Sequence, residues 1–131
     1  MPAKDLYHDT VKRALLKDGW TITHDPLILK YGRKTLYADL GAERLLVAEK
    51  GREKIIVEVK SFLGHSDIHD FQEALGQYVM YAEVLRAQGI DAGLYLAVPE
   101  ATYRGIFSSE LGQLLIARTA LQLIVFDKLR R

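Results

Sequence analysis

The chain has 131 residues, of which 49% are apolar and 27% charged, and its formal net charge at pH 7 is +1. This length and composition are typical of one globular domain spanning residues 1–131, and the small net charge excludes a histone-like polycation. Because the chain has no cysteine, disulfides and thiolate metal ligands are excluded, so a metal ion would need oxygen or imidazole ligands.

The start of the chain predicts a helix and gives no indication of export. Apolar residues recur at helical spacing from Asp5 to Asp18, and Gly19 follows where a helix cap is common. Charged residues interrupt the N-terminal segment from Lys4 onward, and the sequence has no run of about 18 apolar residues. We therefore expect a cytoplasmic protein without a membrane segment.

A region of strands is predicted next, beginning at Trp20. Pro26 disfavours a helix, and Gly32, followed by two basic residues, indicates a turn. Two β-rich runs in ERLLVAEKGREKIIVEVKSF are joined at residues 50–52. That pattern is typical of an antiparallel hairpin.

Helices and strands alternate in the rest of the chain. Apolar spacing predicts a long helix from Asp67 to Gln88, and the run AGLYLAVP, residues 92–99, predicts a buried strand reached by a crossover. A helix near Glu110–Arg118 and a strand in LQLIVFD follow. The sequence thus predicts an α/β (α+β) fold: a mixed central sheet flanked by helices, in the order α-β-β-β-α-β with a further helix and strand.

The second strand of the hairpin carries two charged residues in an apolar setting. Side chains alternate along a strand, so Glu58 and Lys60 share one face with Ile56. Burying each ion costs several kcal/mol unless it is paired or bound to a cation. The ordinary explanation is a structural ion pair, since Glu-x-Lys is a common tripeptide in strands.

A second carboxylate strengthens the functional explanation for Glu58 and Lys60. Asp39 follows a β-prone run and lies 19 residues before Glu58, so the two can converge from adjacent strands. Two carboxylates in one cleft suit Mg²⁺ or Mn²⁺, which are hard cations that take oxygen ligands. Lys60 on the same face could orient or deprotonate a metal-bound water and stabilise charge on a phosphodiester.

These residues and the order of elements resemble the PD-(D/E)XK nuclease superfamily, which has the restriction-endonuclease-like fold. Several longer blocks are more specific. KDGWTITHDPL, DLGAERLLVAEK, KIIVEVKSFLGHSDIHDFQEALGQYVMY and LYLAVP resemble the XisH family, the fdxN element excision controlling factors of cyanobacteria. The proline of the superfamily motif is replaced by Ala38, at a position that is not a ligand.

The resemblance implies an activity and a setting. Asp39 and Glu58 would be the metal-binding carboxylates, and Lys60 the catalytic lysine of a Mg²⁺-dependent endonuclease. The protein would assist excision of a DNA element by a site-specific recombinase, together with a small XisI-type partner protein, and a homodimer would suit double-strand cutting. The alternatives are an inactive module that binds DNA or the partner on the same fold, and a toxin-like nuclease that a small partner controls.

Some further residues are accessory candidates. Gln77 and Tyr81 match the Q-x-x-x-Y element of the RecB-like branch, which lies beside the metal site there, although Gln77 falls off the centre of the apolar stripe and could instead face solvent. Some branches add a glutamate on the first helix, where this chain offers only His8 and Asp9. Glu43 and Glu49 share strand parity with Asp39 if the segment is continuous, but a solvated or cross-strand role is the ordinary one.

Basic residues near the predicted turns are candidates for DNA contact. Arg33, Lys34 and Arg52 flank the predicted site and could hold a phosphate backbone without reading base sequence. His65 and His69 have a spacing that can bind a transition metal. Polarity at the start of a helix explains them better, because no third imidazole is evident.

Overall fold

A five-stranded mixed sheet forms the centre of the protein. The computed structural model describes residues 7–24, 28–36, 45–50, 53–64 and 66–127. In spatial order the sheet contains β1 (Thr21–His24), β4 (Leu45–Lys50), β5 (Glu53–Val59), β6 (Gly93–Pro99) and β7 (Leu123–Phe126). The first three of these pair antiparallel, whereas β5, β6 and β7 pair parallel. The central strand β5 is therefore hydrogen-bonded along both edges.

Helix α1 (His8–Lys17) covers one face of this sheet. Val11 and Leu15 are four residues apart, so they lie on the same side of the helix. Both are buried, and they pack in one cluster with alternate residues of β5, namely Ile55, Val57 and Val59. This face of β5 is apolar over its buried length.

Helix α2 (Asp67–Ala87) covers the opposite face and connects β5 to β6. Ser66 caps its N-terminus by accepting a hydrogen bond from the backbone N–H of His69 at 3.2 Å. Because β5 and β6 are parallel, α2 runs antiparallel to both strands. Its buried side chains join Ile56 of β5 in a second core cluster, and they are Phe71, Ala74, Tyr78, Tyr81 and Leu85.

The segment between β6 and β7 packs on the same side as α2. It contains α3 (Glu100–Arg104), a 3₁₀ helix (Ile106–Ser108) and α4 (Glu110–Thr119). Phe107 of the 3₁₀ helix is fully buried, and its ring meets Phe71 edge to face with 5.0 Å between centroids. The sheet thus lies between α1 on one side and a helical layer on the other.

Strands β2 (Leu29–Tyr31) and β3 (Lys34–Leu36) form a separate antiparallel hairpin. Leu29 is buried in the cluster beneath α2. The side-chain amide of Gln88 donates a hydrogen bond to the backbone carbonyl of Lys30. The small hairpin is therefore attached near the C-terminal end of α2.

The predicted mixed sheet with flanking helices is confirmed. The long helix ends at Ala87 instead of Gln88, and the last helix reaches Thr119 instead of Arg118, which is within the usual variation of helix ends. The crossover between the hairpin and the strand AGLYLAVP is also present, as α2. The predictions missed α3 and the 3₁₀ helix, because elements of five and three residues are too short to show a period.

Two other predictions, the start of the first helix and the lack of a membrane segment, are compared with the structure only within the described residues. The first helix was predicted from Asp5 and begins at His8, and Asp5 itself lies outside the described residues. Within the described parts of the chain, no helix is both long and apolar enough to cross a membrane.

Candidate functional site

Two buried ionisable side chains lie on the α2 face of β5. Glu58 is 0% exposed and Lys60 is 7% exposed, and they share this face with Ile56 as the pleat requires. The same strand presents only valine and isoleucine to α1. The predicted shared face and the predicted desolvation of both charges are therefore observed.

Lys60 forms an ion pair with Glu73 of α2. Its Nζ donates a hydrogen bond to Oε1 of Glu73 at 2.7 Å, and the two side chains are 8% and 29% exposed. This contact connects the end of β5 to the second turn of α2. Because a charge-assisted bond at this distance strengthens as water is excluded, it holds the lysine side chain over the sheet.

The ion pair also sets the register of α2 over β5. Four residues along a helix advance about 6.0 Å, and two residues along a strand advance about 6.6 Å. Since α2 is antiparallel to β5, the spacing that starts from Lys60 and Glu73 predicts that Gln77 follows near Glu58. We therefore infer that Gln77 lies on the side of α2 that faces the buried carboxylate.

Gln77 is half-buried and does not simply face solvent. Its Oε1 atom is buried and has no hydrogen-bond partner among the described residues. An amide oxygen in that state is costly, because it has lost water without gaining a donor. Tyr81, one turn further, is 4% exposed and belongs to the core cluster.

Tyr78 places a neutral phenol near the site. Its hydroxyl donates to the carbonyl of Leu94 at 2.9 Å and accepts from the N–H of Gln122 at 3.2 Å. Burial raises the pKa of this phenol above its ordinary value of 10.0, and the negative charge of Glu58 acts in the same direction. Tyr78 therefore contributes a fixed hydrogen bond to the sheet and no charge at neutral pH.

The chain leaves β5 through an unusual turn directly after Lys60. Phe62 has a φ of +58°, although it is not glycine and is buried. A left-handed conformation of this kind costs about 1–2 kcal/mol. Its ring packs edge to face on Phe107, and the N–H of Gly64 donates to the Asp70 carboxylate at 2.9 Å. These contacts fix the backbone on the C-terminal side of Lys60.

Some predicted site residues lie outside the described residues. These are Asp39, Glu43 and Arg52, so the meeting of Asp39 with Glu58 stays a prediction. The residue of β4 opposite Glu58 is Leu45, which lies six positions after Asp39 in the sequence.

The backbone of Glu49 lies at the end of the β4–β5 hairpin that is away from Glu58. Its backbone lies opposite Lys54, four residues from the position opposite Glu58, which corresponds to about 13 Å along a strand. Its main-chain position is thus separated from that of the buried glutamate by most of the length of the strand.

The candidates on α1 are on the other side of the sheet. Asp9 is exposed and His8 is fully buried, and α1 packs on the face of β5 opposite to Glu58. The backbone of α1 thus lies across the sheet from the face that carries Glu58, and the accessory role of these two residues stays a prediction.

The predicted DNA-contacting residues that the structure describes are exposed on the small hairpin. Arg33 lies in the turn between β2 and β3, and Lys34 begins β3. His69 is exposed, with Nε2 3.8 Å from the Glu73 carboxylate, and His65 lies outside the described residues.

Glu73 is the site residue that the sequence analysis missed. It lies one turn before Gln77, so the spacing Glu-x-x-x-Gln-x-x-x-Tyr carried the necessary signal. Its partner could not be inferred, because Lys60 is 13 positions away and only the crossover brings the two together.

The described side chains include oxygen ligands of the type that a hard cation binds, but they are too few to complete a metal site. Glu58 offers carboxylate oxygens and Gln77 an amide oxygen, and Mg²⁺ takes ligands of this type together with water. Among the residues that the structure describes, no group of three His, Asp or Glu side chains is close enough to hold a metal ion. A metal site here would need Asp39 as well.

Comparison with known proteins gives the family. The family model described as XisH protein matches residues 1–131. A crystal structure of an XisH family protein from Nostoc punctiforme is 42% identical, with a TM-score of 0.85, over 94% of this chain and 91% of that chain. A crystal structure described as a fdxN element excision controlling factor protein from Anabaena variabilis is also 42% identical, with a TM-score of 0.83, over 92% of this chain and 89% of that one.

A search of curated proteins found no match. The family match nevertheless covers residues 1–131, and each of the two solved structures matches more than nine-tenths of this chain. Sequence identity of 42% over this coverage shows membership of a family and not only a shared fold. The chain belongs to the XisH family.

Proposed function

We propose that this protein is a metal-dependent endonuclease that acts on DNA during the excision of a DNA element. The observation that carries the proposal is the burial of Glu58 and Lys60, two positions apart, on one face at the end of β5, whose other buried residues are apolar. Replacing such charges by apolar residues is usually neutral or stabilising for a fold. Their presence is thus better explained by chemistry than by stability.

The role in excision comes from the family. The relative from Anabaena variabilis is described as a fdxN element excision controlling factor, and we extend that role to this chain. A protein that assists a site-specific recombinase works on DNA, which agrees with the predicted cytoplasmic location. Its partners would be DNA, a small XisI-type protein and, indirectly, the recombinase.

The arrangement around β5 supports a place in the PD-(D/E)XK superfamily. A hairpin leads into β5, the charged pair lies at the C-terminal end of that strand, and α2 crosses to the parallel strand β6. Gln77 and Tyr81 lie on the helix directly after this pair, as in the RecB-like branch. In the main sheet three strands, β1, β4 and β5, precede α2 as predicted, whereas β2 and β3 form an additional separate hairpin.

Each residue has a task that fits its chemistry. Asp39 and Glu58 would hold Mg²⁺ or Mn²⁺, and Gln77 would orient a group beside it through its amide. A metal ion bound there would supply Lewis acidity and lower the pKa of a bound water. Lys60 would place a positive charge where negative charge develops on the phosphodiester. Arg33, Lys34 and Arg52 would contact the phosphate backbone.

One observation favours a second function, that of a binding module without catalysis. Lys60 already has a carboxylate partner in Glu73 at 2.7 Å, so its charge is compensated within the fold. In that case the same surface would hold DNA or the small partner, and the buried charges would be structural. The two functions predict opposite results with DNA and a divalent metal.

A cleavage assay tests the proposal. Supercoiled and branched DNA is incubated with Mg²⁺ or Mn²⁺ and the wild-type protein, Glu58→Gln, Lys60→Met or Lys17→Met. Lys17 is an exposed lysine on α1, on the other side of the sheet, so its variant controls for the loss of one positive charge. We expect cleavage by the wild type and Lys17→Met, none by Glu58→Gln, and only slow residual cleavage by Lys60→Met.

Calorimetric titration with Mn²⁺ separates the two functions further. Binding by the wild type that is lost in Glu58→Gln and in Asp39→Asn supports a metal site. Absence of both cleavage and Mn²⁺ binding in the wild type would contradict the nuclease and favour the binding module.

A further inference from the structure

Glu73 is tied to the candidate site although no part of the proposed mechanism uses it. Its carboxylate accepts a hydrogen bond from Lys60 at 2.7 Å, and the two residues lie on different elements, 13 positions apart. A lysine side chain loses rotamer entropy when it is held in one conformation. The hydrogen bond from Lys60 to Glu73 offsets that loss of entropy.

A second ion pair on the same helix differs from the Lys60–Glu73 pair in its exposure and in the elements that it joins. Glu83 and Arg86 are also 2.7 Å apart, but they are three positions apart on one turn and are 63% and 72% exposed. Such surface pairs contribute little and are often absent in solution. The pair of Lys60 with Glu73 instead joins a strand to a helix at a place where the lysine is nearly excluded from water.

Lys60 is fixed at both ends. On the backbone side, β5 ends against β6, where the N–H of Lys60 donates to the carbonyl of Ala97 at 3.0 Å. The left-handed Phe62, held by the Phe107 ring, then fixes the turn. At the other end Glu73 holds the ammonium group. The position of this charge relative to Glu58, two residues away on the same face, is therefore determined by the fold.

We propose that Glu73 is a positioning residue that holds the Lys60 ammonium in the place where it acts on the phosphodiester. The inference rests on the proposed nuclease function, because it assigns the consequence of the ion pair to the reaction. A displacement of about 1 Å in a reacting group can cost a hundredfold in rate. Glu73 would thus act through Lys60 and would itself contact neither DNA nor metal.

Steady-state kinetics of DNA cleavage provide the first test. We expect Glu73→Gln to lower kcat about tenfold to a hundredfold with little change in KM, because the lysine remains present and only its position is lost. Glu73→Asp, which keeps the charge on a side chain shorter by one methylene, should recover part of that loss. Glu83→Gln is the control, because it removes an ion pair of equal length from the exposed face of the same helix, and it should leave both constants unchanged.

A double-mutant cycle shows whether Glu73 works through Lys60. In the Lys60→Met background, Glu73→Gln should have no further effect on residual cleavage, because the group that it positions is absent. An undiminished effect in that background, or an unchanged kcat in Glu73→Gln alone, would overturn the inference.

A spectroscopic readout keeps this inference separate from the proposed function. In ¹⁵N-labelled protein, a lysine ammonium held by a carboxylate exchanges its protons slowly and gives a distinct signal, which Lys60→Met would identify. We expect that signal to be lost in Glu73→Gln and retained in Glu83→Gln, with circular dichroism showing that both variants are folded. Its persistence in Glu73→Gln would show that Glu73 does not hold Lys60. Loss of the signal with no cleavage by the wild type would instead overturn the proposed function, and the hold on Lys60 would stand.

Discussion

The two faces of strand β5 have the same backbone and opposite chemistry. Towards α1 the strand presents Ile55, Val57 and Val59, which pack against apolar residues of α1, β6 and β7. Towards α2 it presents Ile56 and then two ionisable residues that are almost as deeply buried. The first face is what a central strand needs for stability. The second retains charges that stability alone would not select, which is why it is the candidate site.

Moving a carboxylate to the apolar face should have the largest effect on stability. Val57 is fully buried beneath α1, and Val57→Glu would place an ion there without a cation. We expect a loss of about 4 kcal/mol or more in the free energy of unfolding, measured by chemical denaturation. Val125→Glu is the control, because Val125 is 41% exposed on β7. A tolerated charge at position 57 would mean that the two faces do not differ in this way.

Removing the Tyr78 hydroxyl should have the next largest effect. Tyr78→Phe leaves the Leu94 carbonyl without this donor, at a cost of about 1–2 kcal/mol. The change should also alter the pH dependence. Because burial raises the pKa of the phenol above 10.0, its stabilising contribution is complete below pH 10.0 and is lost as pH rises through the higher folded value.

Stability measurements from pH 8 to pH 11 test this. The alkaline decrease in stability that comes from Tyr78 should be missing in Tyr78→Phe and present in Tyr31→Phe, since Tyr31 is exposed. An identical alkaline decrease in wild type and Tyr78→Phe would contradict it.

Neutralising Glu58 should have a smaller effect on stability. Glu58→Gln keeps the shape of the side chain and removes a charge that is fully buried, so we expect the free energy of unfolding to change by less than about 1 kcal/mol. The measurement is the same denaturation experiment, at pH 7, on the variant that should no longer cleave DNA. A large loss of stability would instead indicate that Glu58 is needed for folding, and the contrast between the faces of β5 would be structural.

The smallest effect is expected at the exposed ion pair of α2. Glu83→Gln breaks the contact with Arg86, and it should change the free energy of unfolding by less than about 0.5 kcal/mol, because water and salt screen such pairs. Thermal unfolding at low and high salt provides the measurement. A change as large as that caused by Glu73→Gln would remove the distinction between the exposed pair and the partly buried one.

Local patterns predicted much of this molecule. The long helix was predicted from Asp67 and ends within one residue of its predicted limit, because a 21-residue amphipathic segment shows many turns of one period. Alternation correctly put Glu58 and Lys60 on one face of β5. The orientation of Gln77 was left open, because its position on the helix is marginal and only the partner surface decides whether it is buried.

The sequence by itself determined the longer elements, the alternation along β5 and the blocks that identify the family, since these depend on neighbours within a few positions. Only the tertiary structure decided that α2 crosses β5 with Glu73 at Lys60 and with the side-chain oxygen of Gln77 buried. This arrangement depends on α2, the crossover from β5 to β6, whose packing on the sheet brings together residues 13 or more positions apart. No local period can encode such a contact, so Glu73 became visible as a site residue only in the folded protein.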